Sequence, residues 1–311
     1  MTDQPIILVR PLNTIPEFHA AEDMQRQIWL GSELDVVPLH MLTTVAHNGG
    51  LVLGAFHGDK LVGFLMGFLG TDEGQLNRPA LARLKHCSHM MGVRPEYQGQ
   101  HVGYQLKLAQ RDFVSVQGVR LITWTYDPLE SRNAHLNIAK LGAVCHTYLP
   151  RVYGDMRDGL NAGVDSDRFQ VDWWITSPRV KERMFGQREP LVLSSFTSAG
   201  ADILNPSVAS LASVASQTSS AGGDGLPRPA EQWRAPEGTL ALIEIPTNMQ
   251  AIKSGDLPLA RAWRSQTRSL FEQAFATGYW VTDFFHEPVA GRVRSFYALS
   301  RGETQIEISE N

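Results

Sequence analysis

Short apolar runs alternate with amphipathic stretches along the first 178 residues of the chain. Residues 6–9 (Ile-Ile-Leu-Val) form a short β run. Residues 16–30 carry Phe18, Met24, Ile28 and Trp29 at loosely helical spacing, and a second short helix is expected near 38–46. Residues 51–56 and 61–69 are two apolar runs of strand length, and His57-Gly58-Asp59-Lys60 between them reads as a hairpin turn. Residues 83–93 are strand-like and end at Pro95 and a glycine-bearing loop. Val102, Leu106, Ala109, Phe113 and Val116 then mark one face of an amphipathic helix, with Gly118 where a C-terminal cap belongs. Residues 120–126 form a strand rich in Thr, Ile and aromatics, 133–140 a helix stopped at Gly142, and 143–148 and 169–175 two further strands. Strands interleaved with helices define an α/β layered domain over residues 1–186.

The pattern lapses after Phe185. Residues 187–231 are dominated by Ser, Ala, Gly and Pro, which bury little, and read as a flexible linker. Order returns in a smaller C-terminal βαββ region, 232–311. It holds a strand at 240–245, a helix at 256–277 with Asp256 as N-cap and Pro258 in its first turn, and strands at 279–285 and 292–299. Residues 118–128 and 278–288 share length, terminal Gly and Pro, and a place after a long helix. This reads either as a degenerate half-repeat or as a coincidence of two βαβ units. The second copy lacks the glycine loop and is not expected to hold the same ligand.

Composition narrows the class. Of 311 residues, 43% are hydrophobic and 19% charged, so the chain folds, and its length exceeds one ordinary core. A net charge of −4 argues against a dedicated nucleic-acid binder. The two cysteines, Cys87 and Cys145, lie in apolar surroundings and read as reduced, buried thiols, and no zinc-ligand spacing accompanies them. The amino terminus lacks the basic start and apolar core of a signal peptide, and no stretch reaches membrane-spanning length. A cytoplasmic protein with no membrane or nucleic-acid partner is expected.

The chemistry concentrates in residues 91–103, Met-Gly-Val-Arg-Pro-Glu-Tyr-Gln-Gly-Gln-His-Val-Gly. A strand delivers the chain into a tight loop that opens a helix. Unpaired N–H groups and the positive end of the helix dipole there suit a pyrophosphate, and Gly99 and Gly103 permit close backbone approach. No GxxxxGK[ST] is present, and no GxGxxG follows the strand, which sets aside P-loop and nicotinamide-binding folds.

With Val93, Pro95, Tyr97, Gln98 and Gly103 in place, and with Lys140-Leu141-Gly142-Ala143 ending a helix before a strand, residues 5–178 resemble the GNAT superfamily of acyl-CoA-dependent N-acyltransferases. Residues 123–133 look like a bacterial branch with an appended C-terminal region, some members of which are thought to transfer longer acyl groups such as succinyl. The resemblance implies a mixed, mostly antiparallel central sheet flanked by helices and an acetyl-CoA or other acyl-CoA co-substrate. It implies direct attack by the amine of a small molecule or amino acid, and no metal. A protein or peptide acceptor, or a catalytically silent acyl-CoA sensor, are the other readings. A homodimer is compatible with any of them. The co-substrate is expected on Met91, Gly92, Val93, Gln98, Gly99, Gln100, His101, Val102, Gly103, Tyr104 and Asn133. His89, four residues before Val93, is the expected base; His86 is a weaker candidate. Tyr126, Asp127 and Glu130 follow the next strand and are expected at the cleft edge, Asp127 alternatively building a turn. Two departures stand out: His101 replaces the middle glycine of the loop, and Ile138 occupies the position of the tyrosine that protonates the leaving thiolate. Tyr148 and Tyr153 are the replacement candidates. Arg168 is read as a carboxylate clamp or as an ion pair with Asp165 or Asp167, and Trp174 as a pocket wall.

Overall fold

The computed structural model describes residues 6–29, 31, 33–73, 77–154, 162–186, 189, 191–208 and 225–302. They form two compact units. The described residues through Trp124, joined by Trp174–Thr176, make the first, and the others from Thr125 onward make the second.

In the first unit the order is β1 (Ile7–Pro11), α1 (Ile15–Ile28), α2 (Leu39–His47), β2 (Leu51–His57), β3 (Lys60–Thr71), β4 (Leu84–Val93), α3 (Val102–Val116) and β5 (Leu121–Tyr126), whose last two residues belong to the second unit. Neighbouring strands follow chain order, β1-β2-β3-β4-β5. The first three pairings are antiparallel and β4–β5 is parallel. The runs in β2 and β3 are continuously apolar because both faces of the sheet are covered. Val52, Phe56, Phe64 and Met66 pack with Phe18, Met24 and Leu42 of α1 and α2. Leu51, Leu53, Ala55 and Leu65 pack with Val102 and Leu106 of α3. Two glycines let the helices come close. A Cβ on Gly63 would lie 3.0 Å from Val102 Cγ1, and one on Gly92 would lie 2.8 Å from Ile28 Cδ1. Helix α1 starts at a capping box: Thr14 Oγ1 accepts from Glu17 N, and Glu17 Oε2 accepts from Thr14 N at 3.1 Å.

The second unit contains α4 (Ser131–Ala134), which continues into a π-helical turn over His135–Lys140. It then contains β6 (Val144–Leu149), β7 (Arg168–Trp174), α5 (Pro178–Met184), α6 (Leu193–Ser198), β8 (Asp202–Ile203), β9 (Leu240–Ile245), α7 (Met249–Gly255), α8 (Leu257–Ala276), β10 (Tyr279–Val289) and β11 (Arg292–Arg301). Its strands run β7-β6-β10-β11-β9-β8, all antiparallel except β8–β9. Its core is aromatic: Phe169 lies edge-on to Tyr126, Tyr148, Phe271 and Tyr297, with centroids 4.7–5.9 Å apart. Asp256 caps α8 as expected, accepting from Leu259 N at 2.9 Å. The fold is thus mixed α/β, with mostly antiparallel strands flanked by helices.

The structure differs from the sequence pattern in several places. The compact units divide at Trp124/Thr125, and within the second unit β6 pairs with β10 at Cys145↔Val281. The stretch read as linker holds α6 and β8, and Leu193, Ala201, Leu204 and Ala230 are buried; its residues 187, 188, 190 and 209–224 lie outside the described residues. In the described parts, a few Leu, Phe and Ile side chains are packed into the core although the average composition of the stretch is polar and small. The half-repeat also differs in topology: β4 and β5 are direct parallel neighbours, whereas β11 lies between β9 and β10. On α3, Val116 is 91% exposed and the buried face instead takes in Lys107, Gln110 and Val114.

Candidate functional site

The first unit builds a site from one strand edge and one helix start. β4 stays paired with β3 as far as Gly63↔Val93. Its register with β5 covers only His86↔Ile122 and Cys87↔Thr123. From Ser88 onward, among the described pairs, β4 has no β5 partner, so its edge presents free backbone donors and acceptors. At its far end the Val93 carbonyl accepts from Gln98 Nε2 at 3.2 Å.

Beyond Val93 the chain makes a single 3₁₀ turn, Pro95–Tyr97, and enters α3 through two left-handed residues, Gly99 (φ 81°) and His101 (φ 62°, ψ 8°). His101 makes no side-chain cap, and the first intrahelical acceptor is its own carbonyl, bonded by Gln105 N at 3.0 Å. The N–H groups of Val102, Gly103 and Tyr104 therefore have no partner within the helix. The left-handed geometry explains why glycine suits position 101. An L-residue there costs about 1–2 kcal/mol, a strain that histidine tolerates better than branched residues do.

His89 falls at a β-bulge. Met66 pairs with Met90 and Gly67 with Ser88, leaving His89 as the extra residue. Its side chain is exposed, with the ring 6.0 Å from that of Phe68. Partial desolvation holds its imidazole below the usual pKa, so it is neutral at pH 7.

Beside the edge lies a buried polar cluster that sequence reasoning missed. Lys107 on α3 is 2% exposed. Its Nζ donates to Ser88 Oγ at 2.8 Å and to Gln110 Oε1 at 3.2 Å, and sits 3.6 Å from the centroid of the Trp124 ring. Burial lowers its pKa to about 7. His86 is fully buried, and neither ring nitrogen has a hydrogen-bond partner; Gln110 Nε2 is also unpartnered. Burial, with a smaller contribution from the Lys107 charge, lowers the His86 pKa to about 4. A lone lysine in the middle of an apolar helix face was the available signal.

The other expected site residues lie elsewhere, except Trp174, which is half-buried in the first unit. In the second unit, Tyr126 is buried with its hydroxyl 3.1 Å from that of Tyr297, and burial pushes its pKa well up. Tyr148 donates to Asp167 Oδ2 at 2.6 Å, and burial raises its pKa as well, which makes it a poor proton donor. Tyr153 is exposed, its hydroxyl 2.8 Å from Thr125 Oγ1. Asp127 does build a turn, accepting from Leu129 N at 2.8 Å, and is also clasped by Arg264 Nη2 at 2.5 Å. Arg168 is buried, 3.8 Å from Asp127, and the partner of Asp165 and Asp167 is instead Arg268. Glu130 accepts from Gln250 Nε2 at 2.6 Å, and burial raises its pKa. Asn133 is exposed in α4, and the N-cap position belongs to Glu130. Ile138 is fully buried.

Among the described residues no group of three or more His, Cys, Asp or Glu is arranged to hold a metal ion, and no helix is long and apolar enough to cross a membrane.

No family model matches the chain, and no curated protein matches it by sequence. Solved structures do. NAA60 of Arabidopsis thaliana in complex with acetyl-CoA is 16% identical, over 54% of this chain and 99% of that one, with a TM-score of 0.43. An acetyltransferase of the GNAT family from Streptococcus pneumoniae is 14% identical, over 54% and 98%, with a TM-score of 0.41. Aminoglycoside 6'-acetyltransferase type Ii is 16% identical, over 54% and 97%, also at 0.41.

Proposed function

We propose that this protein is an acyl-CoA-dependent N-acyltransferase of GNAT type, transferring an acetyl or longer acyl group to the amine of a small molecule or amino acid. The observation that carries the reading is the early parting of β4 from β5, combined with an uncapped helix start at the end of the same strand. An extended amide-bearing arm can hydrogen-bond along the edge from Ser88 to Gly92. A pyrophosphate at the end of that arm can rest on the N–H groups of Val102, Gly103 and Tyr104, with Gly99 and Gln100 beside it. The sequence resemblance at Val93, Pro95, Tyr97, Gln98 and Gly103 points the same way.

The chemistry then needs a neutral amine held against the thioester carbonyl. The nitrogen lone pair attacks the carbonyl carbon, the C–S bond breaks, and one proton must leave the nitrogen while another reaches the sulfur. His89, exposed at the bulge and neutral at pH 7, is the group we assign to accept the first proton, directly or through water. Holding both reactants in one orientation supplies much of the acceleration.

The test is a screen of acetyl- and succinyl-CoA with a panel of amines, reading free thiol and acylated amine together. Thiol release that depends on the amine is expected. His89→Ala should lower kcat at least 100-fold with acyl-CoA affinity nearly unchanged. Tight acyl-CoA binding with no release across the panel would make the protein a silent sensor. Release only with a peptide amine would change the acceptor class.

A further inference from the structure

We propose that Lys107 is the proton donor to the departing thiolate, an assignment that rests on the acyltransferase reading above. The structure places its ammonium where β4 and β5 cease to pair. Ser88, which accepts from Nζ at 2.8 Å, is the first β4 residue beyond the β5 register, and Trp124, whose ring lies beneath Nζ, directly follows the last paired β5 residue, Thr123.

Lengths support the placement. From Val93 back to Ser88 the strand covers about 17 Å at roughly 3.3 Å per residue. The arm between the pyrophosphate and the sulfur of CoA is a chain of about a dozen single and amide bonds, which spans roughly 16 Å when extended. An arm extended along the free edge from the level of Val93 would bring its sulfur close to the level of Ser88, where Lys107 Nζ donates to Ser88 Oγ.

The surroundings of Lys107 fit a transferable proton. Among the described residues, no carboxylate contacts it. Its neighbours are Ser88, Cys87 and His86 from β4, Gln110 from its own helix and Trp124 from β5. Cys87 and His86 are the titratable groups that interact with it, and burial keeps both uncharged at pH 7. A buried ammonium with no counter-ion favours giving up its proton. Burial brings its pKa to about 7, below the roughly 8.5 of an ordinary thiol, so transfer to a thiolate runs downhill. In the step, the C–N bond to the acceptor forms and the C–S bond breaks with its electron pair on sulfur. One Nζ–H proton passes to that sulfur, leaving free thiol and neutral Lys107, which solvent reprotonates. The donor expected from the tyrosine position is absent, because that position is the buried Ile138.

The experiment compares the full-length wild type with Lys107→Met and Lys107→Arg, the latter keeping a cation that cannot titrate. Acyl-CoA affinity is measured by calorimetry and thiol release across pH 5.5–9.5. Expected is acyl-CoA affinity within about 3-fold of wild type in both variants. Expected as well is a fall in kcat of about 100-fold or more, and loss of the alkaline limb that wild-type kcat shows as Lys107 deprotonates. Wild-type thiol release matched by both variants, or an alkaline limb that persists in them, would overturn the assignment and leave the acyltransferase reading standing. No thiol release by wild type with any amine would instead overturn that reading, and the assignment with it. The chain has only six lysines, so ¹⁵N-lysine labelling of wild type gives a second readout should the variants not fold. One Nζ resonance that titrates between pH 6 and 8.5 and moves on adding acyl-CoA supports the proposal. Six resonances all titrating above pH 9.5, with and without acyl-CoA, refute it.

Discussion

His86 offers a quantitative check on the buried cluster behind β4. Its ring is fully buried over Gly67, where a Cβ would lie 2.2 Å from Nε2, and neither nitrogen is hydrogen-bonded. An exposed imidazole takes up its proton near pH 6.5, whereas burial and the nearby Lys107 charge hold the folded value near 4. The unfolded chain therefore binds a proton below about pH 6.5 and the folded protein only below about pH 4. Stability is retained above 6.5 and lost as pH falls through this window. At pH 5 the loss is about 2 kcal/mol, approaching 3 kcal/mol near pH 4. His86→Leu keeps a similar volume and removes two unsatisfied polar atoms, worth about 1–3 kcal/mol at any pH. Urea unfolding of wild type and variant at pH 8 and pH 5 separates the two effects. The variant should be more stable at both, by about 2 kcal/mol more at pH 5. An equal difference at the two pH values, or a variant less stable at pH 8, would refute the reasoning.

Two further outcomes follow from other parts of the molecule. His101→Gly relieves a left-handed φ of 62° at the entrance to α3, so acyl-CoA affinity should stay within a few-fold and stability should not fall by more than about 0.5 kcal/mol; a large loss of affinity in calorimetry would mean that the imidazole itself holds phosphate. Arg268→Met strips a paired guanidinium from Asp167, whose side chain is fully buried, leaving it Tyr148 and the Arg151 N–H. About 3 kcal/mol of stability should go, with the loss shrinking as the pH falls and the carboxyl protonates, and a chemically unfolded series that shows no pH dependence of the loss would contradict this.

The first unit was largely legible in the sequence because its signals are local. Apolar runs in β2 and β3, the turn between them, and the glycine loop before α3 each announce an element within a dozen residues. The α3 face was misjudged at one end for a physical reason: an apolar Val116 near a helix terminus can stay in water at little cost, whereas Lys107 and Gln110 are buried because the sheet edge lies beneath them. The second unit was less legible because its ties are remote. Asp127 meets Arg264 across 137 positions, and Asp167 meets Arg268 across 101. No periodicity in either segment reports such pairs. The Ser/Ala-rich stretch misled for a related reason, since α6 and β8 are ordered by tertiary burial of a few side chains and not by propensity. Of the expected site, the glycine loop before α3 follows from spacing and His89 was suggested by the family resemblance, while Tyr126, Tyr148 and Arg168 met partners that only the folded chain reveals.

The central claim is that an acyl-CoA arm lies along the β4 edge that β5 leaves free. Amide hydrogen exchange with and without a non-hydrolysable acyl-CoA analogue tests it residue by residue. Slowed exchange within residues 88–92 and at Val102, Gly103 and Tyr104, with β2 unchanged, is the result expected. Binding that leaves those amides exchanging as before, with protection elsewhere in the chain, would contradict the account.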